Sequence, residues 1–295
     1  MPAPISIRAP AKLNLCLFLG PRREDGLHSL CSLFEPLALA DLIEVSEGST
    51  AASGHGFDEV VCAGVEGDPA DNLAARALAA LRERGWDRPP LRVEIEKRIP
   101  VAAGLGGGSA DAAAILRLAR DPAGAAGWIP DLKAIAESLG ADVPSQLSPS
   151  LALVQGAGER IEHLPDPVPH AVVLLPDGGG LSTAEVFAEA DRLGLGRDAG
   201  ELDELAARLR DAAGEGASPL SYVDLLGNDL EAAARSLRPR IGASLDALRD
   251  ADATAALLTG SGPTVFGLFE DISAAQAAAE RLNRNDAIVC EAGRA

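Results

Sequence analysis

The sequence PVAAGLGGGSAD at positions 100–111 places four glycines within five residues, between a predicted strand at 91–95 and an alanine-rich helix predicted for 110–120. Glycine allows positive φ angles and lets the backbone come close to a ligand. The first N–H groups of a helix have no partner within the helix and point in one direction. A loop of this kind, followed at once by a helix, favours a binding site for the phosphates of a nucleotide triphosphate.

The familiar phosphate-binding patterns do not fit this loop. No Gly-Lys-Ser/Thr follows the glycines, as the Walker motif requires, and Ser109 stands where the Rossmann fingerprint has its last glycine. A flexible linker or a tight turn is the alternative, but a linker would not run directly into a strongly helical stretch. We therefore predict a phosphate-binding loop of a different type.

A lysine in an apolar strand is the second feature. The residues at 5–19 predict a strand, or a strand pair broken near Pro10, and in PAKLNL, at positions 10–15, Lys12 and Asn14 lie on one face of it. A buried lysine needs a carboxylate or a phosphate as its partner. Asp142, in the sequence LGADVP, is a candidate carboxylate, although the residues alone favour a turn or a helix cap there. The glycine turn LTGSGPT at 258–264 is compatible with a hairpin or with a site.

The composition is that of an acidic globular protein. The chain has 295 residues, of which 47% are hydrophobic and 24% charged, and its net charge is -18. This apolar content excludes a disordered chain, and the negative charge disfavours nucleic acid and membrane surfaces as partners. The cysteines and histidines lack the spacing of metal ligands. The N-terminal segment has no apolar core of a signal peptide, so we expect a cytoplasmic protein.

The order of predicted elements indicates an α+β fold in two domains. Three prolines within LPDPVPH, at positions 164–170, are incompatible with a helix or a central strand. We place the boundary there, which gives an N-terminal domain at 1–166 and a C-terminal domain at 167–295. After the prolines the patterns predict a strand, four helices, two strands around a glycine turn, a helix and a strand, an order typical of helices packed on one face of a sheet.

The lysine strand, the glycine loop and the late TGSGPT turn resemble, in order and spacing, the three motifs of the GHMP kinase superfamily. The segments PAKLNL, DGLHSL, DNL, GLGGGSADAAA, LGADVP, GAGE and GNDLE are most similar to the members that phosphorylate the 2-hydroxyl of 4-diphosphocytidyl-2-C-methyl-D-erythritol, on the non-mevalonate route to isoprenoid precursors. The resemblance covers nearly the whole chain. It implies a ribosomal protein S5-like N-terminal domain, a ferredoxin-like C-terminal domain, and ATP with Mg²⁺ as the phosphate donor.

The resemblance also implies roles for individual residues. Asp142 would accept the hydroxyl proton, and Lys12 would keep Asp142 ionised and orient the nucleophile. The residues implied to bind ATP are Asn72, Leu73, Pro100, Gly104, Leu105, Gly106, Gly107, Gly108 and Ser109. Those implied to bind the cytidine-diphosphate-linked sugar alcohol are Asn14, Leu27, His28, Thr183, Phe187, Gly260 and Gly262. No residue is implied as a direct metal ligand.

The chain departs from the family pattern around the implied substrate pocket. Leu27 stands where these kinases usually have a tyrosine before the histidine, so Phe187 would supply most of the stacking surface for cytosine while His28 meets the edge of the base. Ser145 and Gln146 replace the usual aromatic residues after Asp-Val-Pro, and the sequence SPS at 148–150 replaces a glycine pair.

Two other functions remain open from the sequence. The first is another GHMP small-molecule kinase, of the homoserine or mevalonate type, and the segments PAKLNL and DGLHSL argue against it. The second is a non-catalytic nucleotide or metabolite sensor on the same fold. The presence of both Lys12 and Asp142 argues against a sensor, which needs no base beside a transferred phosphate. The oligomeric state is not predicted.

Overall fold

The computed structural model describes residues 4–48, 57–65, 71–120 and 131–293. The chain forms two compact units, each assembled from separate segments. The first comprises Met1–Ala11, Leu39–Val101 and Gly106–Ser148, and the second comprises Lys12–Ala38, Ala102–Leu105 and Pro149–Ala295. Two long paired strands, β1 (Ile5–Arg22) and β2 (His28–Glu47), contribute to both units. The predicted α+β architecture is confirmed.

The first unit packs helices against a small mixed sheet. The last part of β2 pairs antiparallel with β4 (Leu91–Glu96), which pairs in parallel with β3 (Glu59–Cys62). In the part of the chain that is described, the helices of this unit are α1 (Leu73–Glu83), α2 (Gly107–Leu118), α3 (Leu132–Leu139) and α4 (Val143–Gln146). The strand predicted at 91–95 is confirmed.

Helix α2 lies at the centre of this unit. Its residues from Ala110 to Leu116 are all buried, and the small alanine side chains let neighbouring helices approach closely. The helix begins at Gly107, three residues before the predicted start at 110, so two of the glycines are helical and not part of the loop. Glycine disfavours a helix, but burial of the alanines that follow, and of Ile115 and Leu116, stabilises α2 enough for its first turn to include Gly107 and Gly108.

The second unit contains two antiparallel groups of strands. The first part of β2 pairs with β5 (Ala152–Gly156), which pairs with β6 (Arg160–His163). A second set runs in the order β10 (Ile288–Ala292), β7 (His170–Leu175), β9 (Val265–Phe269) and β8 (Ala255–Leu258), and β10 also meets β2 through Ala292 and Leu37.

Four described helices of the second unit pack around a core that includes Val173, Leu245 and Phe269. They are α5 (Thr183–Leu193), α7 (Glu231–Leu237), α8 (Arg240–Asp250) and α9 (Ile272–Leu282). Helix α6 (Ala199–Ala213) packs instead against β5 and a 3₁₀ helix at Pro219–Leu225. The strands and α-helices predicted after the prolines are confirmed in their order along the chain. Among the described residues, no helix has the length and apolar character needed to cross a bilayer.

A buried charge cluster ties α2 to the sheet of the first unit. Lys97, just after β4, donates to Asp41 on β2 and, at 2.8 Å, to Asp111 on α2. Asp41 also accepts the backbone N–H groups of Arg98 and Ile99 at 2.6 Å and 2.8 Å. Two carboxylates thus share one ammonium group. Burial raises the pKa of Asp111 to about 6, against the opposing effect of Lys97.

This pKa predicts a pH-dependent contribution of Asp111 to stability. The folded protein holds the Asp111 proton up to about pH 6, whereas an exposed carboxyl loses it near pH 3.8. Protonation therefore favours folding at low pH, and this stabilisation is lost as the pH rises through about 6. From pH 5 to pH 7.5, we expect the free energy of unfolding of the wild type to fall by about 1 kcal/mol relative to Asp111→Asn in urea denaturation. A difference between the two proteins that is the same at both pH values would contradict the assignment.

Candidate active site

The glycine loop gives α2 an open N-terminus in the first unit. Gly106 occupies the N-cap position with φ 70° and ψ 16°, a left-handed conformation in which any side chain would be strained. No side chain caps the helix there. The predicted need for positive φ is confirmed at Gly106 and also at Gly104, which has φ 76°. The first N–H groups of α2 are therefore available to an anion.

The N-termini of α1 and α2 lie side by side. Asn72 caps α1 by accepting the N–H of Ala74 at 2.9 Å. The next residue, Leu73, reaches α2, where its Cδ1 would be 3.6 Å from a Cβ at Gly108. Of the residues predicted to bind ATP, Asn72 and Leu73 thus lie beside the start of α2, whereas Gly104 and Leu105 belong to the second unit.

Asp142 lies at the N-cap position of the four-residue helix α4, and it is half-buried. Its side chain makes no capping hydrogen bond. Its backbone carbonyl accepts a hydrogen bond from the Ser145 hydroxyl at 2.8 Å. The capping role that the sequence favoured is therefore not the reason for an aspartate here.

In the second unit, Lys12 is held by the residue two positions further along its strand. Only 4% of Lys12 is exposed, and its Nζ donates to Oδ1 of Asn14 at 2.6 Å. The ammonium also lies 4.5 Å from the centre of the Phe34 ring. Asn14 Nδ2 donates to the Ser32 hydroxyl at 2.9 Å, which turns the amide oxygen toward the lysine. The prediction that Lys12 and Asn14 share one face is confirmed.

The turn between β8 and β9 packs against this lysine strand. The backbone N–H of Asn14 donates to the Thr259 hydroxyl at 2.9 Å. Gly260 has φ 58°, and a Cβ there would be 3.2 Å from Asn14 Oδ1. A Cβ at Gly104 would be 2.8 Å from the carbonyl oxygen of Gly262, which is closer than a side chain can come. The hairpin that was one possibility for this turn is confirmed, and the turn also packs against the lysine strand.

Sequence reasoning missed the residue that holds this turn in place. Asn228 donates through Nδ2 to the carbonyls of Leu258 and Gly260, both at 2.8 Å. The motif GNDLE could have pointed to Asn228, because it is one of the segments that carry the family resemblance, but no role was predicted for its asparagine. Thr183, at the start of α5, meets the same turn through a 2.9 Å contact with the Ser261 hydroxyl.

His28 and Phe187 come together as predicted, with ring centres 5.7 Å apart and planes tilted by 46°. His28 Nδ1 lies 3.0 Å from the Gly20 carbonyl, and its Nε2 lies 3.0 Å from Oδ1 of Asp191. Asp191 was not predicted, although it follows Phe187 by four residues on α5 and so shares its face. Leu27, which stands where the resemblance expects a tyrosine, is 57% exposed.

Family models match both halves of the chain. The GHMP kinases N terminal domain matches residues 72–148, and the GHMP kinases C terminal model matches residues 197–287. A protein of Mycolicibacterium gilvum named 4-diphosphocytidyl-2-C-methyl-D-erythritol kinase is 40% identical, over 92% of this chain and 84% of its own length. A protein of the same name from Nocardia farcinica is 39% identical, over 96% of this chain and 90% of its own length.

The solved structures give the same result. A crystal structure of 4-(cytidine 5'-diphospho)-2C-methyl-D-erythritol kinase has a TM-score of 0.78 at 33% identity, and the alignment covers 99% of this chain and 100% of that one. Homoserine kinase from Cytophaga hutchinsonii, with a TM-score of 0.67 at 18% identity over 100% of this chain and 95% of that one, shares the fold alone. The chain therefore belongs to the GHMP kinase superfamily, with its two-domain α+β fold, and within it to the 4-diphosphocytidyl-2-C-methyl-D-erythritol kinase family.

Proposed function

We propose that this protein is a cytoplasmic kinase that transfers the γ-phosphate of ATP to the 2-hydroxyl of 4-diphosphocytidyl-2-C-methyl-D-erythritol. The observation that carries the proposal is the arrangement within the first unit. There, an uncapped glycine N-terminus of α2 and an aspartate without a capping role, Asp142, belong to one compact body. A phosphate site and a proton acceptor are the two parts that transfer to a hydroxyl requires. The division into domains at 1–166 and 167–295 is part of the same proposal.

In this proposal, each residue of the site has a simple task. The N–H groups at Gly106 to Ser109 bind the ATP phosphates, and Asn72 with Leu73 lies beside the adenine. Asp142 accepts the proton of the substrate hydroxyl as its oxygen attacks phosphorus. Lys12 directs a positive charge to the reacting oxygens, and Asn14 fixes the direction of its ammonium group. Phosphoryl transfer depends mainly on such positioning and on stabilisation of charge.

Mg²⁺ belongs to the proposal as the partner of ATP. In the described ranges, no group of three or more histidine, cysteine or acidic residues could hold a metal ion. Magnesium commonly keeps several waters and is bound mainly through the phosphates of its nucleotide. The residues at the start of α2 fit that mode, because they offer N–H donors to phosphate oxygens. The ion would neutralise phosphate charge during transfer.

The substrate assignment depends on the pocket formed by His28 and Phe187. The ring of Phe187 offers a face for cytosine, and His28 lies beside it. Both ring nitrogens of His28 have a partner in the protein, the Gly20 carbonyl and the Asp191 carboxylate, so contact with the edge of the base would replace the contact with Asp191. Leu27 adds apolar surface only. These contacts support a pyrimidine base as the recognised end of the substrate.

The proposal is tested by ADP release from ATP in the presence of different acceptors. We expect ADP formation with 4-diphosphocytidyl-2-C-methyl-D-erythritol, and no comparable rate with homoserine or mevalonate. Preference for homoserine or mevalonate would make the protein another type of GHMP kinase. If ATP binds, but none of the three acceptors gives ADP above the rate without acceptor, the sensor alternative is favoured.

The pocket predicts that loss of the Phe187 ring weakens substrate binding. Stacking of a base on an aromatic ring contributes about 1 to 3 kcal/mol, so Phe187→Ala should raise KM for the cytidine substrate about 5-fold to 100-fold. The value of kcat should change less, because the base is bound equally in the ground state and the transition state. His28→Ala should also raise KM. Steady-state kinetics of each variant measure both constants.

A matched control is Leu193→Ala, which removes a partly exposed apolar side chain from the same helix. We expect this control to leave KM for the cytidine substrate unchanged. If Phe187→Ala and His28→Ala also leave KM unchanged, the pocket is misplaced. The substrate assignment would then be withdrawn, while the kinase assignment would still rest on the glycine loop, Lys12 and Asp142.

A further inference from the structure

The segment that carries Asp142 has little regular structure to hold it in place. Helix α3 ends at Leu139, the next residue, Gly140, has an extended backbone, and α4 has only four residues. A helix this short is not stable by itself, because forming its first turn costs more than one turn of hydrogen bonds gives back. The burial of Val143 anchors one side of the segment. Contacts from neighbouring elements must hold the rest.

Arg117, near the end of α2, supplies such a contact. Its Nη1 donates to the carbonyl of Gln146, the last residue of α4, at 2.8 Å. Its Nη2 donates to the carbonyl of Arg8 on β1 at 2.7 Å, and this second bond fixes the guanidinium itself. All three residues lie in the first unit. One planar side chain thus joins α2, β1 and the segment of Asp142.

This arginine is not a solvated surface residue. Burial and the neighbouring Arg120 lower its pKa, which means that the charged side chain lies in an unfavourable environment. The two carbonyls offset part of that cost, because charged donors form the stronger hydrogen bonds. A guanidinium held in this way resists displacement.

The position of Arg117 on α2 gives this contact a functional consequence. Arg117 lies ten positions after Gly107 on the same helix, so about 15 Å of α2 connects the proposed phosphate-binding end to the contact with α4. We infer that Arg117 is a positioning residue, which holds Asp142 at its working distance from the nucleotide phosphates. The inference rests on the proposed function, because it requires Asp142 to act as the proton acceptor. A shift of about 1 Å in such a group can lower the rate about 100-fold.

Arg82 provides a matched control for a purely structural role. It lies near the end of α1 in the same unit, where it pairs with the Asp58 carboxylate and donates to the carbonyls of Trp86, Arg88 and Pro89. Its hydrogen bonds hold the turn that follows α1, in the way that the hydrogen bond of Arg117 holds α4. Arg82→Met and Arg117→Met remove the same donors, keep an apolar stem, and should both lower resistance to urea. Only Arg117→Met should change the position of Asp142.

The first measurement compares kcat with nucleotide affinity. We expect Arg117→Met to lower kcat about 10-fold to 100-fold, with the Kd for a non-hydrolysable ATP analogue changed less than about 3-fold. Arg82→Met should keep kcat within about 2-fold of the wild type. Equal effects of the two substitutions on kcat would overturn the inference. If Arg117→Met fails to fold, Arg117→Lys, which keeps the charge and loses the planar fork, takes its place.

A double-mutant cycle with Asp142 gives the second measurement. Asp142→Asn should lower kcat about 10²-fold to 10⁴-fold. If Arg117 acts through Asp142, adding Arg117→Met to Asp142→Asn should lower kcat less than about 3-fold further. A full multiplicative loss in the double variant would overturn the inference and leave the proposed function standing. Wild-type turnover by Asp142→Asn would instead remove Asp142 from the mechanism, and the role of Arg117 would fall with it.

Discussion

The left-handed backbone at Gly106 is the constraint on which the site depends. It turns the chain from the glycine loop into α2 without a side chain over the first N–H groups of the helix. The same helix is buried along most of its length, so its start cannot shift without disturbing the core of the first unit. A rigid helix with an open N-terminus is well suited to hold an anion.

Because the protein is acidic, its attraction for anionic ligands has to be strong and has to act over short distances. The protein carries a net charge of -18, whereas both proposed ligands are phosphate-containing anions. The long-range field therefore disfavours binding, and attraction must come from groups inside the site. The N–H groups at the start of α2 are in a position to supply it over short distances. In the second unit, the ammonium group of Lys12 is buried and contacts an amide oxygen and an aromatic ring.

Local pattern predicted most of the elements, because periodicity and glycine chemistry act within a few residues. The lysine strand, the glycine loop and the strands and helices after the prolines were predicted from such local patterns. Contacts between residues that are distant in the sequence could not be predicted from them. Asn228 reaches the carbonyl of Gly260, Asp191 reaches His28, and Arg117 reaches Arg8, which is 109 residues away. The early start of α2 was also missed, since burial of its alanines outweighs the low helix propensity of glycine.

The central claim is that the start of α2 binds the phosphates of ATP, and Gly108→Ala tests it most directly. A Cβ at Gly108 would meet only Leu73, at an ordinary 3.6 Å, so the fold should tolerate it. As a control, a Cβ at Gly178 in the second unit meets nothing within 4 Å. Calorimetric titration with a non-hydrolysable ATP analogue should show affinity lowered about 10-fold or more in Gly108→Ala and unchanged in Gly178→Ala, with both variants as stable as the wild type. Unchanged affinity in folded Gly108→Ala would contradict the claim.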